Sequence, residues 1–425
     1  MRQYRIRGKN RIAGALSIGG AKNAVLPILA AVCLNESESE IHNCPPIADT
    51  IASIEILKSI GCKVEFEGTT LKVDSSGVLS HEIPDEIVGK MRSSILFMGA
   101  MLGRMGKVDI AMPGGCNLGK RAIDLHIFGL SKMGAVICID GDKLRCEAKE
   151  LRGATISLHT ASVGATQNLM LAAVRAKGET IIENAAREPE IIDLAKFLIG
   201  MGAKIEGAGT STITITGVKK LTKGKPHRIM PDRIVAGTYL LAAAMTGGMI
   251  TLRDVCPADL APVTAALKKM GCVIRSNVNC VTLAAPKRLK ALPRLITEVH
   301  PGFPTDMQAQ FVAALATANG TSEVKETIFE SRHAHACDLN RMGADIQVSS
   351  DYRTFVINGK ERLHGETVAA QDLRGGAALI LAALAADGET VVQNIEYVER
   401  GYARIEQDLA TLGADIRIEE TTALC

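Results

Sequence analysis

The chain has 425 residues, 47% of them hydrophobic and 22% charged, and a formal net charge of +3. That length supports two or three domains with a large core. The charge is too weak for the dense basic face of a nucleic-acid binder, and 3% aromatics with no tryptophan are too few for base-stacking platforms.

In chain order, the opening stretch MRQYRIRGKNRI has no apolar signal core and reads as strand material without a helix of its own. It is expected to pair with the C-terminal half. A mostly apolar helix follows, in NAVLPILAAVCLNESESEI, and runs through a turn into a strand. The same pattern returns in SSILFMGAMLGRMGKVDI, GATQNLMLAAVRAKGETII, VAGTYLLAAAMTGGMITL, AQFVAALATANGTSEV and GGAALILAALAADGETVV. Helices that are apolar nearly all round belong in a protein interior. The longest apolar run, Gly376 to Ala386, is too short to span a bilayer, so no membrane insertion is expected.

A second phrase follows each of these helices: LKSIGCKV, LSKMGAVI, LIGMGAKI, LKKMGCVI, LNRMGADI and LATLGADI. Its glycines, Gly61, Gly134, Gly202, Gly271, Gly343 and Gly413, lie roughly 70 residues apart, longer than a solenoid period. The phrase predicts an amphipathic helix stopped by a left-handed glycine, then a β-branched strand. Each unit therefore reads strand, buried helix, strand, amphipathic helix, strand, strand, an α/β architecture with its sheets outside its helices. Six units suggest two domains of three. The polar stretch from Leu221 to Met230 marks the boundary. One domain is then discontinuous, residues 1–21 with 230–425; the other is residues 22–229 and carries a cysteine loop at 112–122. The cleft between two such domains is the default ligand site.

Lys22, Arg92, Arg233 and Arg374 fall in or beside the first turns of buried helices. A helix N-terminus carries partial positive charge, so a cation there is unfavourable. Four such cations point to a shared anion; the alternative is that each snorkels into water. Ser162, Asp232, Asp306 and Asp372 are ordinary N-cap types at equivalent places. In PGFPTDMQAQF, Thr305 offers itself as the cap, which would leave Asp306 for other work.

The loop PGGCNLGKR places Cys116 beside Lys120 and Arg121. Neighbouring cations lower a thiol pKa and favour reactivity. The other ten cysteines, scattered without CxxC pairs, read as inert packing in a reduced, cytosolic protein. Gly114 to Lys120 fits the start of a phosphate-binding GxxxxGK loop, but Arg121 stands where Ser or Thr would hold magnesium. No dinucleotide fingerprint follows a strand. His333 and His335 lack a further ligand cluster, so they read as surface or polar-contact residues and no metal is expected.

With these pieces placed, the chain resembles the UDP-N-acetylglucosamine enolpyruvyl transferases. The segments carrying the likeness are GAKNAVLPILAA at Gly20, PGGC at Pro113, RAIDLHI at Arg121, SVGAT at Ser162, PDRI at Pro231, PGFPTDMQAQF at Pro301, DLR at Asp372 and ERGY at Glu399. They run in order along the whole chain. The resemblance implies two domains, each of three βαβαββ units enclosing buried helices. It implies that a sugar 3-hydroxyl attacks C2 of phosphoenolpyruvate, and that phosphate then leaves a tetrahedral intermediate. This is the first committed step of peptidoglycan precursor synthesis, carried out in the cytoplasm with no metal or organic cofactor. Cys116 matches the general acid toward C3 and Asp306 the group near the sugar hydroxyl. Lys22, Arg92, Arg121 and Arg400 match the cations around phosphoenolpyruvate, with Lys22 and Arg400 also counted in the catalytic set. Asn23, Arg92, Arg121, Asp124, Ser162, Val163, Gly164, Asp306 and Ile328 match the sugar-nucleotide side. Asp232, Glu330, Arg332, Asp372 and Arg374 match supporting positions, Glu330 and Arg332 as a hinge-side pair and Arg374 in closure and carboxylate contacts.

Four positions depart from the family pattern: Val235 for Glu after PDRI, His333 for an aromatic, Tyr397 for His, and Ala122 for Pro. Three other readings stay open at this point: an enolpyruvyl transferase with a different acceptor, an inactive paralogue that binds sugar nucleotide or a partner protein, and a triphosphatase.

Overall fold

The computed structural model describes residues 2–78, 80–89, 91–113 and 123–420. The Cys116, Arg121 and Ala122 positions and the GxxxxGK run lie outside the described residues. The chain folds as two compact units, residues 2–19 with 231–420 and residues 20–113 with 123–230.

Three apolar helices form the centre of each unit. In the second they are α1 (Lys22–Ala31), α2 (Leu96–Met105) and α3 (Val163–Ala173). In the first they are α4 (Arg233–Met245), α5 (Gln308–Leu315) and α6 (Leu373–Ala385). Within each trio every helix packs against the other two. Their sequences are rich in Ala, Gly and Leu, which lets backbones approach closely. At Gly99 in α2 an added Cβ would lie 2.2 Å from the Asn168 carbonyl oxygen of α3, and the Gly99 N–H donates to Asn168 Oδ1 at 2.7 Å. Pro27 inside α1 removes the N–H that would otherwise bond the carbonyl of Asn23.

The sheets lie outside these helices. In the third repeat, Thr155–Ser157 runs parallel to Glu179–Glu183, which pairs antiparallel with Thr212–Thr216, and that with Lys204–Glu206. Ile156, Ile182, Ile213 and Ile215 share the buried face, as period-2 alternation requires. The amphipathic helices stop at the repeated glycines, all at positive φ: Gly61 +107°, Gly134 +93°, Gly202 +102°, Gly271 +98°, Gly343 +92° and Gly413 +101°. The repeat reading and the α/β class with helices enclosed by sheet both hold.

Three sheets borrow strands from distant sequence. Ala13–Ser17 runs parallel to Met249–Arg253, and His227–Arg228 runs parallel to Glu38–His42. Arg2–Arg7 sits between Glu389–Gln393 and Asp415–Glu420, antiparallel to both. In the sixth repeat Arg2–Arg7 thus fills the place that Thr212–Thr216 holds in the third. Among the described residues no helix is long and apolar enough to cross a membrane.

Two expectations need correction. Cys138, Cys256 and Cys337 are exposed rather than packed inside. Cys44, Cys146 and Cys272 do behave as core residues, and burial pushes the first two thiols up to about 12 and the third to about 11. His335 is not a surface residue. It is buried and stacked on Phe355 at 5.8 Å, and neither ring nitrogen meets a hydrogen-bond partner among the described residues. The flanking sequence, HAHACDL, starts a helix whose inner face carries it inward.

Candidate active site

In the unit of residues 20–113 and 123–230, Lys22, Asn23, Arg92, Ser162, Val163 and Gly164 lie at or just before the N-termini of the central helices. Lys22 is the first residue of α1, and among the described residues no side chain caps that end. Its Nζ lies 2.8 Å from Oδ2 of Asp49, a buried acid in the first turn of the helix Ala48–Ser59. The ion pair explains how a cation tolerates this position: Asp49 offsets the adverse field of the helix end. Asn23 follows Lys22, half-buried. Arg92 opens the short turn Arg92–Ile95 that leads into α2. Burial lowers its pKa from the ordinary arginine value.

Ser162 caps α3, its Oγ accepting from the Ala165 N–H at 3.3 Å, and Val163 and Gly164 begin the helix. Asp124, exposed, begins the helix Asp124–Lys132. His126 on that helix is buried against Gly164, where an added Cβ would lie 3.4 Å from the imidazole. Its Nδ1 accepts from Asn168 Nδ2 at 2.9 Å. Burial, helped by Arg92, lowers its pKa to about 4, so the ring is neutral at pH 7. Sequence reasoning missed both Asp49 and His126. The signal for His126 was available, two residues after Asp124 in RAIDLHI; nothing in the sequence pairs Asp49 with Lys22.

In the other unit, the structure brings Asp306, Arg332 and Arg374 together. Asp306 lies in the turn Thr305–Met307 before α5. Arg332 Nη1 donates to its Oδ1 at 3.0 Å, and Arg374 Nη2 to its Oδ2 at 2.9 Å. Both guanidiniums are almost fully buried, and the Asp306 side chain is 23% exposed. Burial alone would raise the Asp306 pKa, but the two arginines outweigh it and hold the carboxyl well below the usual range. Burial likewise opposes charge on Arg374, and Asp306 overcomes it, raising that pKa. Gln310 Nε2 donates to the Asp306 carbonyl at 2.9 Å, and the Tyr402 ring lies 6.0 Å from the Arg374 guanidinium.

Asp232 and Asp372 do cap α4 and α6. Asp232 Oδ1 accepts from Ile234 and Val235, and Asp372 Oδ1 accepts from Arg374 and Gly375, all at 2.8–3.0 Å. Thr305 does not cap as expected. Its Oγ1 donates to the buried Glu326 instead, at 2.8 Å. Glu330 and Arg332 are not paired with each other: Glu330 is exposed near Arg353 at 3.4 Å, while Arg332 turns to Asp306. Ile328 is 37% exposed, and its N–H is held by Glu326 Oε1 at 2.7 Å. Arg400 follows the short helix Glu396–Glu399, half-buried. Of the departures from the family pattern, Val235 gives its N–H to a cap and packs its side chain on the core of its unit, His333 stacks on Tyr352 at 4.3 Å, and Tyr397 packs on the same core as Val235.

The chemistry on offer is anion recognition with a fixed carboxylate. Arg332 Nε and Arg374 Nη1 are buried with no acceptor among the described residues, so each guanidinium retains a donor. A carboxylate between two arginines is a weak base until its partners turn elsewhere, and a ligand anion that engages them would strengthen it.

Comparison with known proteins points the same way. Residues 6–409 match the family described as EPSP synthase (3-phosphoshikimate 1-carboxyvinyltransferase). The chain is 49% identical over 416 residues to UDP-N-acetylglucosamine 1-carboxyvinyltransferase 2 of Caldanaerobacter subterraneus subsp. tengcongensis, covering 98% of this chain and 99% of the relative. It is 46% identical, with the same coverage, to UDP-N-acetylglucosamine 1-carboxyvinyltransferase of Geotalea uraniireducens. The crystal structure of the enolpyruvyl transferase NikO from Streptomyces tendae superposes with a TM-score of 0.88 at 26% identity, covering 99% of both chains. EPSP synthase from Acinetobacter baumannii shares the fold with a TM-score of 0.75 at 18% identity, over 99% of this chain and all of that one. The repeats, the helix-terminal cations and these likenesses together place the chain in the UDP-N-acetylglucosamine 1-carboxyvinyltransferase branch of the EPSP synthase family of enolpyruvyl transferases.

Proposed function

We propose that the protein transfers the enolpyruvyl group of phosphoenolpyruvate to the 3-hydroxyl of UDP-N-acetylglucosamine and releases phosphate. The observation that carries this reading is the near full-length identity, 44–49%, to relatives that bear this activity as their name. The sugar oxygen adds to C2 of phosphoenolpyruvate as C3 takes a proton; phosphate then leaves C2 while C3 gives up a proton, and the double bond returns. In this scheme Cys116 donates the proton to C3. Asp306 receives the sugar hydroxyl proton when substrate anions draw on Arg332 and Arg374. Lys22, Arg92, Arg121 and Arg400 hold the phosphate and carboxylate, for which lysine charge and arginine forks are suited. Asn23, Asp124, Ser162, Val163, Gly164 and Ile328 take the sugar nucleotide. The reaction would run in the cytoplasm, a compartment suited to the unpaired cysteines among the described residues.

A phosphate-release assay with candidate acceptors tests the proposal. Release from phosphoenolpyruvate is expected with UDP-N-acetylglucosamine and not with shikimate 3-phosphate. No release with any acceptor would favour a binding-only paralogue, and magnesium-dependent ATP hydrolysis would favour the triphosphatase.

A further inference from the structure

Glu326 is completely buried, yet it is a carboxylate. It follows the strand Thr321–Lys325, and Thr297 follows the parallel neighbour Arg294–Ile296. Both residues therefore stand just past the carboxyl ends of adjacent parallel strands, where α/β folds place ligand-binding groups. A buried carboxylate is tolerated only when its oxygens are satisfied. Oε1 accepts from Thr297 Oγ1 at 3.0 Å, from the Ile328 N–H at 2.7 Å and from the Phe329 N–H at 3.0 Å. Oε2 accepts from Thr305 Oγ1 at 2.8 Å. Arg332 Nη1 donates to the same Thr305 hydroxyl at 2.9 Å, to the Thr305 carbonyl, and to Asp306 Oδ1 at 3.0 Å. The Thr305 hydroxyl thus bridges a buried anion and a buried cation.

We propose that Glu326 is a positioning residue with two separable arms. Through Thr305 it fixes the turn that carries Asp306, and through the Ile328 and Phe329 amides it fixes the segment that takes the sugar nucleotide. The inference rests on the enolpyruvyl-transfer reading. The arms differ in what they need. Oε1 faces two amide donors that cannot turn round, whereas Oε2 faces a hydroxyl that can rotate and accept instead. Glu326→Gln therefore keeps an oxygen on the amides and turns its NH2 toward Thr305, whose hydroxyl loses its charge-assisted bond to a carboxylate and accepts instead, which weakens the Asp306 arm without cutting it. Thr305→Val cuts the same arm. Glu326→Ala cuts both.

Steady-state kinetics with both substrates, beside thermal melts, test this. Thr305→Val is expected to lower kcat about tenfold or more, and Glu326→Gln by a smaller factor above twofold, with KM for the sugar nucleotide within twofold of wild type in both. Thr305→Ser restores kcat, and Glu326→Ala also raises KM for the sugar nucleotide about tenfold. If Glu326→Ala does not fold, the Thr305→Val and Thr305→Ser pair carries the test. An active wild type whose Thr305→Val and Glu326→Gln forms keep kcat within twofold would overturn the inference alone. So would a Thr305→Ser form no better than Thr305→Val. A wild type that transfers nothing would overturn the functional reading, and the inference with it.

Discussion

Arg374 reaches Asp306 across 68 positions of sequence to form a 2.9 Å hydrogen bond in a nearly closed environment. Together with Arg332 it keeps the carboxyl ionised far below its ordinary pKa. The pair therefore contributes stability that is fully present above the unfolded value, about pH 4, and lost as pH falls toward the depressed folded value. Arg374→Met is expected to cost about 2–3 kcal/mol at neutral pH, the low side for breaking a buried pair because Asp306 keeps some exposure. Melting curves should show a constant gap from wild type between pH 5 and 8 that narrows below pH 4. A gap that persists undiminished to pH 2.5 would sink the assignment.

His126 and His335 act in the same direction but in the window above. Burial holds both near pKa 4 in the fold, against about 6.5 unfolded. Between those values the unfolded chain binds more protons, so stability drops as pH falls from 6.5 to 4. His126→Gln should flatten that part of the melting-temperature profile. An unchanged slope would mean that His126 titrates normally.

Asp49 is expected to tune Lys22. Asp49→Asn keeps the shape of the side chain and removes its charge, so Lys22 loses a charge-assisted contact. Under the proposed reaction, kcat/KM for phosphoenolpyruvate should fall roughly ten- to a hundredfold, with a smaller effect on the sugar nucleotide. Equal losses for both substrates would argue against a specific hold on Lys22.

Cys116→Ala should abolish turnover, whereas Cys116→Asp should retain part of it, since a carboxylic acid can also donate a proton. An epoxide mimic of phosphoenolpyruvate should alkylate the wild-type thiol, which mass spectrometry of the peptide detects. Normal turnover by the alanine form would remove the thiol from the mechanism.

Gly99 is expected to be intolerant of any side chain. A Cβ there would meet both the carbonyl and the Oδ1 of Asn168 at 2.2 and 2.4 Å. Gly99→Ala should cost about 1–3 kcal/mol through overpacking, and it should also disturb His126, which is bonded to the same Asn168. A melt identical to wild type would show that α2 and α3 have room to part.

The repeats were legible because their punctuation is local. A glycine after an amphipathic run can be read without knowing what lies across the sheet, and all six adopt the positive φ that the reading requires. The cations at helix starts were legible for the same reason, as breaches of a local rule. What satisfies them was not. Asp49 is 27 positions from Lys22 and looks like any first-turn acid. Thr305 was misread because its local option, capping, lost to a buried acid 21 positions away. His335 was misread because a histidine in HAHACDL gives no sign that its helix turns it toward Phe355.

The strand Arg2–Arg7, lodged between two strands from the far end of the sequence, sets an order of events during synthesis. Residues 20–113 and 123–230, which form one compact unit, are made before residues 231–420. The other unit cannot close its sheet until residues 415–420 have emerged. Arg2–Arg7 must wait, with unmet backbone groups, until the flanking strands Glu389–Gln393 and Asp415–Glu420 have been made. That interval is when such an edge is open to wrong pairing.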